Sequence, residues 1–408
     1  MARAPRRAEV VIIGSGGFGA STAYHLARRG VRDVLLLDRY DLGSQTSPRA
    51  AGLTSKVASS ELMVKLVDEA VETLAAFEST TGRSIAFHRV GAMRVLLTPE
   101  GEARMRRDAA LAQSFGVKVE FLSADEAERR APHFRAAGAR AILFSPADGY
   151  FHPPLVAREF AAAAAELGVT LAPGTPVTGF LHEGGRIRGV RTPGGVVESP
   201  VVVDAAGAWS ALLADEVGIR VPMIPTRHQL FITEPIAGIE PHHPIVRIHE
   251  PSVYTRPEQG GLMLGGYEDH PLQIDMTLQP EHFQVKDLPL DVGVLWGLAG
   301  EVSAHFPALA GARIREHRGG LPTISPDGEH IVGPVGSLAG FYIASACNVG
   351  GLSISASVGR ALADLIVDGS SRPDLGRMSI ERFRGKDLDS AALRAACVRA
   401  YARKYTRA

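Results

Sequence analysis

Two cysteines in 408 residues, Cys347 and Cys397, are too few for a disulfide framework or a cysteine-rich metal site, and they fit a reducing cytoplasm. Net charge is also missing: 44 Lys and Arg stand against 44 Asp and Glu, so nothing global draws the chain to nucleic acid or to an anionic membrane. No apolar run is long enough to span a bilayer, and a cytoplasmic setting is expected. The opening MARAPRRAEVVIIG resembles a signal peptide only superficially, because its short apolar run passes directly into a glycine turn and an amphipathic helix. HExxH, paired CxxC and EF-hand patterns are absent, which argues against a protein metal site. The GxSxG elbow is absent too, and AWSALL around Ser210 lacks its glycine frame, so a serine hydrolase is not supported. No short-period repeat or low-complexity block appears. The length calls for two domains, and small molecules are the expected partners.

What is present begins with AEVVIIGSGGFGASTAYHLARRG. Val10 to Ile13 reads as a buried parallel strand, and the residues after Gly19 carry apolar positions at helical spacing. The glycines therefore sit at a strand-to-helix turn. Gly14 permits the turn, Gly16 lets a pyrophosphate approach the backbone, and Gly19 lets the helix pack close to the strand. The helix N-terminus then offers free N–H groups to phosphates. A second strand, Asp33 to Leu37, ends at Asp38, close to the roughly 20-residue distance at which an acid meets the adenosine ribose. The combination predicts a dinucleotide, with its identity still open.

Glu61 to Thr80 is predicted as an amphipathic helix, RVGAMRVLLT as a strand and PEGEARMRRDAALAQSFG as a helix; Ser123 followed by Glu126 has a capping-box pattern. VVVDAAGAWSALLADEVG and GFYIASACNVGGLSISASVGRALADLIVDG each return to strand, small-residue loop and helix. Dinucleotide-type elements thus recur at the beginning, middle and end, with strand-rich insertions between them. The expected fold class is α/β, a discontinuous Rossmann-like FAD-binding domain with an inserted mixed-sheet α+β substrate domain. Residues 1–85, 146–224 and 325–385 are assigned to the first, residues 86–145 and 225–324 to the second, and residues 386–408 to a basic C-terminal helix. That tail carries Arg394, Arg399, Arg403, Lys404 and Arg407, and is read as a solvated surface helix with a membrane or partner contact as the sharper alternative.

A nicotinamide domain completes its fold locally, whereas these glycine loops recur along the whole chain, which favours FAD. In GSGGFGASTAYHL with Asp38, SPRAAGL, VVVDAAGAWS, SPDGEHIVGPV and GFYIASACNVGGLSISASVGRALADLI, nearly the whole sequence resembles the FAD-dependent amino acid and amine oxidoreductases. RHQLFITEPI, GGLMLGGYE and SIERF are most similar to the flavin part of dimethylglycine and sarcosine dehydrogenases and oxidases. Relatives of that kind often continue into a folate-binding domain, which this sequence is not expected to contain. The resemblance implies that Gly14, Ser15, Gly16, Gly17, Phe18, Gly19, Asp38 and Arg39 hold the ADP half of FAD. It places Val177 at the adenine, Ala206, Gly207 and Trp209 along the pyrophosphate path, and Arg49, Ala51, Gly52 and Leu53 near the flavin. Asn348, Gly350, Gly351 and Leu352 would bring a helix N-terminus to the flavin pyrimidine edge, where reduction leaves negative charge.

Two departures from the family pattern matter. Arg49 stands in SPRAAG where some relatives have a histidine that bonds the flavin, so the FAD is expected to be non-covalent. Leu321 stands in GLPTISPDG where glycine-oxidase-like relatives have an arginine for the substrate carboxylate. Arg256 and Arg318 are the candidate replacements, with surface or structural roles as the alternative. The resemblance assigns His228 and Tyr254 to the catalytic face, where histidine would titrate in the useful range and tyrosine would hydrogen-bond the amine or its carboxylate. The expected reaction is hydride transfer from an N-methyl or other secondary or tertiary amine to flavin N5, then imine hydrolysis with formaldehyde release, the electrons passing to oxygen or a separate acceptor. Alternatives are a deaminating oxidase or dehydrogenase of a primary or cyclic amino acid, a nicotinamide-dependent dehydrogenase, and a flavoprotein subunit of a heteromeric complex. Homo-oligomerisation stays open.

Overall fold

The computed structural model describes residues 5–386 and 389–406. It contains a six-stranded sheet whose order from edge to edge is Ile331–Pro334, Phe341–Ser345, Val201–Asp204, Val10–Ile13, Val34–Leu37 and Thr170–Ala172. Every neighbouring pair is parallel except Ile331–Pro334 with Phe341–Ser345. Strands buried on both faces need no polar alternation, which is why VVII and VLLL are continuous apolar runs. Helices Gly17–Arg28, Pro153–Glu166 and Ser355–Asp368 cover one face. A three-stranded antiparallel sheet, Gly179–Glu183, Arg186–Thr192 and Gly195–Glu198, covers the other with Phe180, Ile187, Val190 and Val197. Helices Gly17–Arg28 and Ser355–Asp368 approach so closely that a Cβ at Gly359 would overlap Ser21.

The second sheet has eight strands in the order Ile314–Gly320, His228–Thr233, Gly261–Gly266, Val253–Glu258, Ile245–Ile248, Ala92–Leu96, Ala141–Ser145 and Glu120–Phe121. Because side chains alternate along a strand, its two faces differ sharply. Met93, Phe231, Val246, Val253 and Leu264 pack on one face against Leu295 and Leu298 of helix Val292–Glu301. Arg94, Arg247 and Tyr254 are register partners across three adjacent strands and point to the other face. Basic and aromatic side chains on that face are the raw material of the site.

Local signals had mixed outcomes. Thr98 caps helix Pro99–Ser114, its Oγ1 accepting from Gly101 N at 3.1 Å, and Ser123 Oγ accepts from Glu126 N at 3.2 Å at the start of Ala124–Arg130. The predicted single helix from Glu61 to Thr80 is instead two, Glu61–Ala75 and Phe77–Thr81, meeting at Ala76.

The tail departs from the solvated helix expected of it. Helix Ser390–Ala402 starts at Asp389, whose Oδ1 accepts from Ala392 N at 2.7 Å, and buries Leu393, Cys397, Ala400 and Tyr401 in a cluster with Tyr254, Tyr267 and Ile324. These four positions fall at i, i+4, i+7 and i+8, an apolar stripe that the surrounding basic residues conceal in the sequence. Arg394 completes the docking with an ion pair to Asp275 at 3.0 Å. Arg407 lies outside the described residues. Among the described residues, no helix is long and apolar enough to cross a membrane.

Candidate functional site

A cavity of about 730 Å³ is lined by residues of both sheets and of the C-terminal segment. One end is the glycine turn. Gly14 has φ +97°, and a Cβ at Gly19 would overlap the Gly14 carbonyl oxygen, so strand and helix can meet only without side chains there. Gly14, Gly16, Gly17 and Phe18 line the cavity, whereas Ser15 and Gly19 are not part of its wall. Ser15 instead ties the turn to Asp38, donating to Asp38 Oδ2 from its N–H at 2.8 Å and its hydroxyl at 2.6 Å. Asp38 does reach the wall, and burial raises its pKa against these hydrogen bonds. Beside it Arg39 donates to the Glu281 carbonyl at 2.6 Å, and its guanidinium lies over the rings of Tyr40 and Trp209 at 5.2 and 5.7 Å. Val177, Ala206, Gly207 and Trp209 continue the same groove.

The groove passes to a second glycine loop. Ala346, Asn348 and Val349 all have left-handed backbone, φ +49°, +45° and +66°, in a stretch where only Gly350 and Gly351 are glycine. A β-branched residue in that region costs of order 1–3 kcal/mol, and such strain concentrates where a ligand is held. Asn348 braces the loop from behind the wall: Oδ1 accepts from Ser325 N at 3.1 Å and Nδ2 donates to the Ala346 carbonyl at 2.6 Å. Cys347, Val349, Gly350, Gly351 and Leu352 face the cavity, and so do Ala51, Gly52 and Leu53. Arg49 lines it as well, on the turn Ser47–Arg49, with Nη1 donating to the carbonyls of Ser44, at 2.6 Å, and Gln45.

The remaining wall comes from the eight-stranded sheet and the tail. His228 Nε2 is 2.9 Å from the Tyr254 hydroxyl, and Nδ1 is 2.8 Å from the Tyr401 hydroxyl. His228 and Tyr254 line the cavity, so the two predicted catalytic residues stand together, with a third partner from the C-terminal helix. Burial pushes the His228 pKa down to about 3, with Lys404 adding to the effect. The expectation that His228 titrates near neutrality is thereby corrected: a desolvated imidazole flanked by two hydroxyls stays neutral. Burial likewise raises Tyr254.

Arg256 and Arg318, expected at the substrate, are not on the cavity wall. Arg256 is 1% exposed and committed to structure: Nε donates to the Ala51 carbonyl at 2.8 Å, Nη1 donates to the Pro257 carbonyl at 2.8 Å and pairs with Glu258, and the guanidinium stacks over Tyr150. Arg318 Nη1 lies 3.3 Å from Glu316 on its own strand. The wall carries instead Arg94, Arg104, Arg247, His249, Tyr267, Lys404 and Tyr405, of which Tyr267 lies in GGLMLGGYE and Lys404 in the basic tail. Apart from a count of arginines in predicted strands, no local signal could have found the others.

Residues 9–365 match the family described as DAO, FAD dependent oxidoreductase. The chain belongs to that family. Among its relatives is human mitochondrial sarcosine dehydrogenase, 29% identical over 98% of this chain and 44% of that protein. Another is the 4-methylaminobutanoate oxidase (formaldehyde-forming) of Paenarthrobacter nicotinovorans, 28% identical over 96% and 47%. The chain therefore spans less than half the length of these curated relatives. Of solved structures, the L-proline dehydrogenase from P. horikoshii superposes with a TM-score of 0.84 at 26% identity, covering 93% of this chain and 98% of that one. The fold is that of the DAO family, a discontinuous Rossmann-like FAD-binding region with an inserted mixed sheet. FAD is the cofactor, and the cavity fits it non-covalently: one glycine cradle closed to any side chain, Asp38 beside it, and a second helix start at Gly350–Leu352.

Proposed function

We propose that this protein oxidises the carbon–nitrogen bond of a primary or cyclic amino acid to an imine, which water then hydrolyses. FAD supplies the hydride acceptor, at N5 of its ring system. The observation that carries the reading is the chain Tyr254–His228–Tyr401, closed by two hydrogen bonds and opening on the cavity through Tyr254. A neutral imidazole has one N–H and one bare nitrogen, so one tyrosine must donate to it while the other accepts. With the proton on Nε2, the Tyr254 oxygen accepts from histidine and its own hydrogen is free for the substrate. With the proton on Nδ1, Tyr254 donates to histidine and its oxygen can accept from a substrate N–H. His228 thus orients Tyr254 and does not serve as the base.

Hydride departure requires a neutral amine, whose lone pair pushes from nitrogen. Arg94, Arg104, Arg247 and Lys404 around the same cavity favour that form, since nearby positive charge lowers an amine pKa. The match to nearly the full length of a solved L-proline dehydrogenase supports a cyclic or primary amino acid. A second reading is N-demethylation with formaldehyde release, supported by the names of the two curated relatives. Oxygen or a separate protein acceptor would reoxidise the flavin.

Anaerobic titration of the flavin absorbance with proline, glycine, sarcosine and dimethylglycine tests both. Bleaching by proline or glycine, with a cyclic imine or an oxo acid as product, is the expected result. Bleaching by the N-methyl compounds alone, with formaldehyde, selects the second reading. A flavin that no amine bleaches sinks both.

A further inference from the structure

The cavity does not end at the reaction face. Beyond Arg94 it continues as a branch between helix Glu61–Ala75 and helix Pro99–Ser114, lined by Val57, Ala58, Met63, Val67, Met105 and Leu352. Met63, Val67 and Leu352 belong to the core on the helix-covered face of the six-stranded sheet, whereas Val57 and Met105 belong to a separate cluster between helix Pro99–Ser114 and the eight-stranded sheet. Ala58 packs against both, so the branch is a seam where two cores meet at one methyl group. Ala58 and Met63 stay half-buried there. The polar groups beside the seam are already engaged within the protein. Arg94 Nη2 donates to Ser55 Oγ at 2.6 Å and stands 3.6 Å from Asp148 Oδ2, Arg247 Nη2 donates to the Thr54 carbonyl at 2.7 Å, and Arg104 Nη2 donates to the Tyr405 carbonyl at 3.2 Å. What the seam offers a ligand is apolar surface.

We propose that this branch holds the side chain of the substrate, and that the preferred substrate is an amino acid with an unbranched apolar chain of about four carbons. The proposal rests on the amine-oxidation reading and specifies its substrate class. Tyr254, Arg247 and Arg94 are register partners across three adjacent strands. The strand of Tyr254 therefore lies two strand spacings, roughly 10 Å, from the strand of Arg94, which leads into helix Pro99–Ser114. With its amine beside Tyr254, glycine or alanine would leave the seam empty, whereas a four-carbon chain reaches it. Each methylene moved from water into such a seam strengthens binding about fourfold. Met63 and Met105 are unbranched and flexible, which suits them to close on a flexible chain. A polar chain of the same length would lose its water without gaining a partner.

The test uses the FAD-loaded enzyme and a homologous series, alanine, norvaline and norleucine, with glutamine as the polar chain of matched length. In anaerobic flavin reduction, the rate divided by Kd should rise about fourfold per methylene, roughly 60-fold from alanine to norleucine, and glutamine should fall about tenfold or more below norleucine. Ala58→Phe fills the seam and should bring the ratio of norleucine to alanine toward one. Met63→Gln, at near-constant length, should lower that ratio about tenfold, and keeps the test decisive if Ala58→Phe fails to fold. A series flat from alanine to norleucine overturns the proposal, as does a ratio that neither variant changes. Calorimetry with propanoate, pentanoate and heptanoate, which carry no amine, separates the proposal from the reading beneath it. A Kd that falls about fourfold per methylene in the wild type and less in the variants, with no amino acid bleaching the flavin, keeps the branch and removes the oxidation reading. Bleaching by amino acids with a flat chain-length series does the reverse, and neither bleaching nor a slope removes both.

Discussion

The two ends of the cavity are built by different means. At the glycine end the working parts are backbone: Gly14 and Gly19 make close approach possible, and Ser15 and Asp38 lock the turn within 23 residues of sequence separation. At the reaction end the working parts are side chains, and His228, Tyr254, Arg94, Arg247 and Tyr401 arrive from five separate segments. A main-chain site tolerates no added atoms, whereas a side-chain site tolerates substitution and pays in function. Mutations at the two ends should therefore fail in different ways.

The largest effect is expected from Gly19→Val. Its side chain has no room against the Gly14 carbonyl, so the protein should purify without flavin, or not fold, at a cost of roughly 3 kcal/mol or more; a normal ratio of flavin to protein absorbance would break the comparison. Tyr254→Phe should keep its FAD and slow anaerobic flavin reduction by about 100-fold, measured by stopped flow. A smaller change would mean that Tyr254 does not touch the reacting amine.

Acid should loosen the reaction end next. The His228 pKa is lowered in the folded state, so its contribution to stability is full above about pH 6.5 and is lost as pH falls toward about 3, at about 1.4 kcal/mol per pH unit. His249, also lowered by burial first and then by Arg94, acts in the same direction. Asp204, behind the glycine end, is raised by burial to about 7 and opposes them, gaining stability on acidification. Thermal melts from pH 7 to pH 5 should show a falling midpoint, and His228→Asn should flatten that slope; an unchanged slope would place the acid-sensitive groups elsewhere.

Tyr401→Phe removes one of the two hydrogen bonds that fix the imidazole, and should slow flavin reduction about tenfold without loss of FAD. Equal effects on flavin content and rate would make the tail merely structural. The smallest effect is expected from Val349→Gly. Relief of a left-handed β-branched residue should raise stability by about 1 kcal/mol, read from denaturant unfolding; destabilisation would mean that the packing of Val349 beside Tyr254 and Tyr401 outweighs the strain.

Legibility followed the same division. The strand, turn and helix from Val10 to Arg28, and the return of that pattern near Val201 and Phe341, could be read because each is encoded by neighbours in sequence. Ser15 and Asn348 were named for the cofactor but stand behind the wall, because a motif gives position along the chain and not the direction of a side chain. Arg256 and Arg318 were chosen as arginines near the right motif. Arg256 donates to the Ala51 and Pro257 carbonyls, pairs with Glu258 and stays off the cavity wall, while Arg94 and Arg247, which no motif marks, reach the cavity. The tail misled most, since its basic composition hid the stripe from Leu393 to Tyr401.

The sequence by itself determined that this chain folds around a dinucleotide groove, because a glycine that must lack a Cβ, a strand buried on both faces and a helix start are local requirements written in consecutive residues. Only the tertiary structure decided which side chains line the cavity. Strand register set Arg94 beside Arg247 and Arg247 beside Tyr254, and the docked C-terminal helix set Tyr401 on His228. The Arg94–Arg247 and His228–Tyr401 contacts join residues more than 150 positions apart, and their energy depends on burial and pairing that exist only once the sheets and the tail have packed.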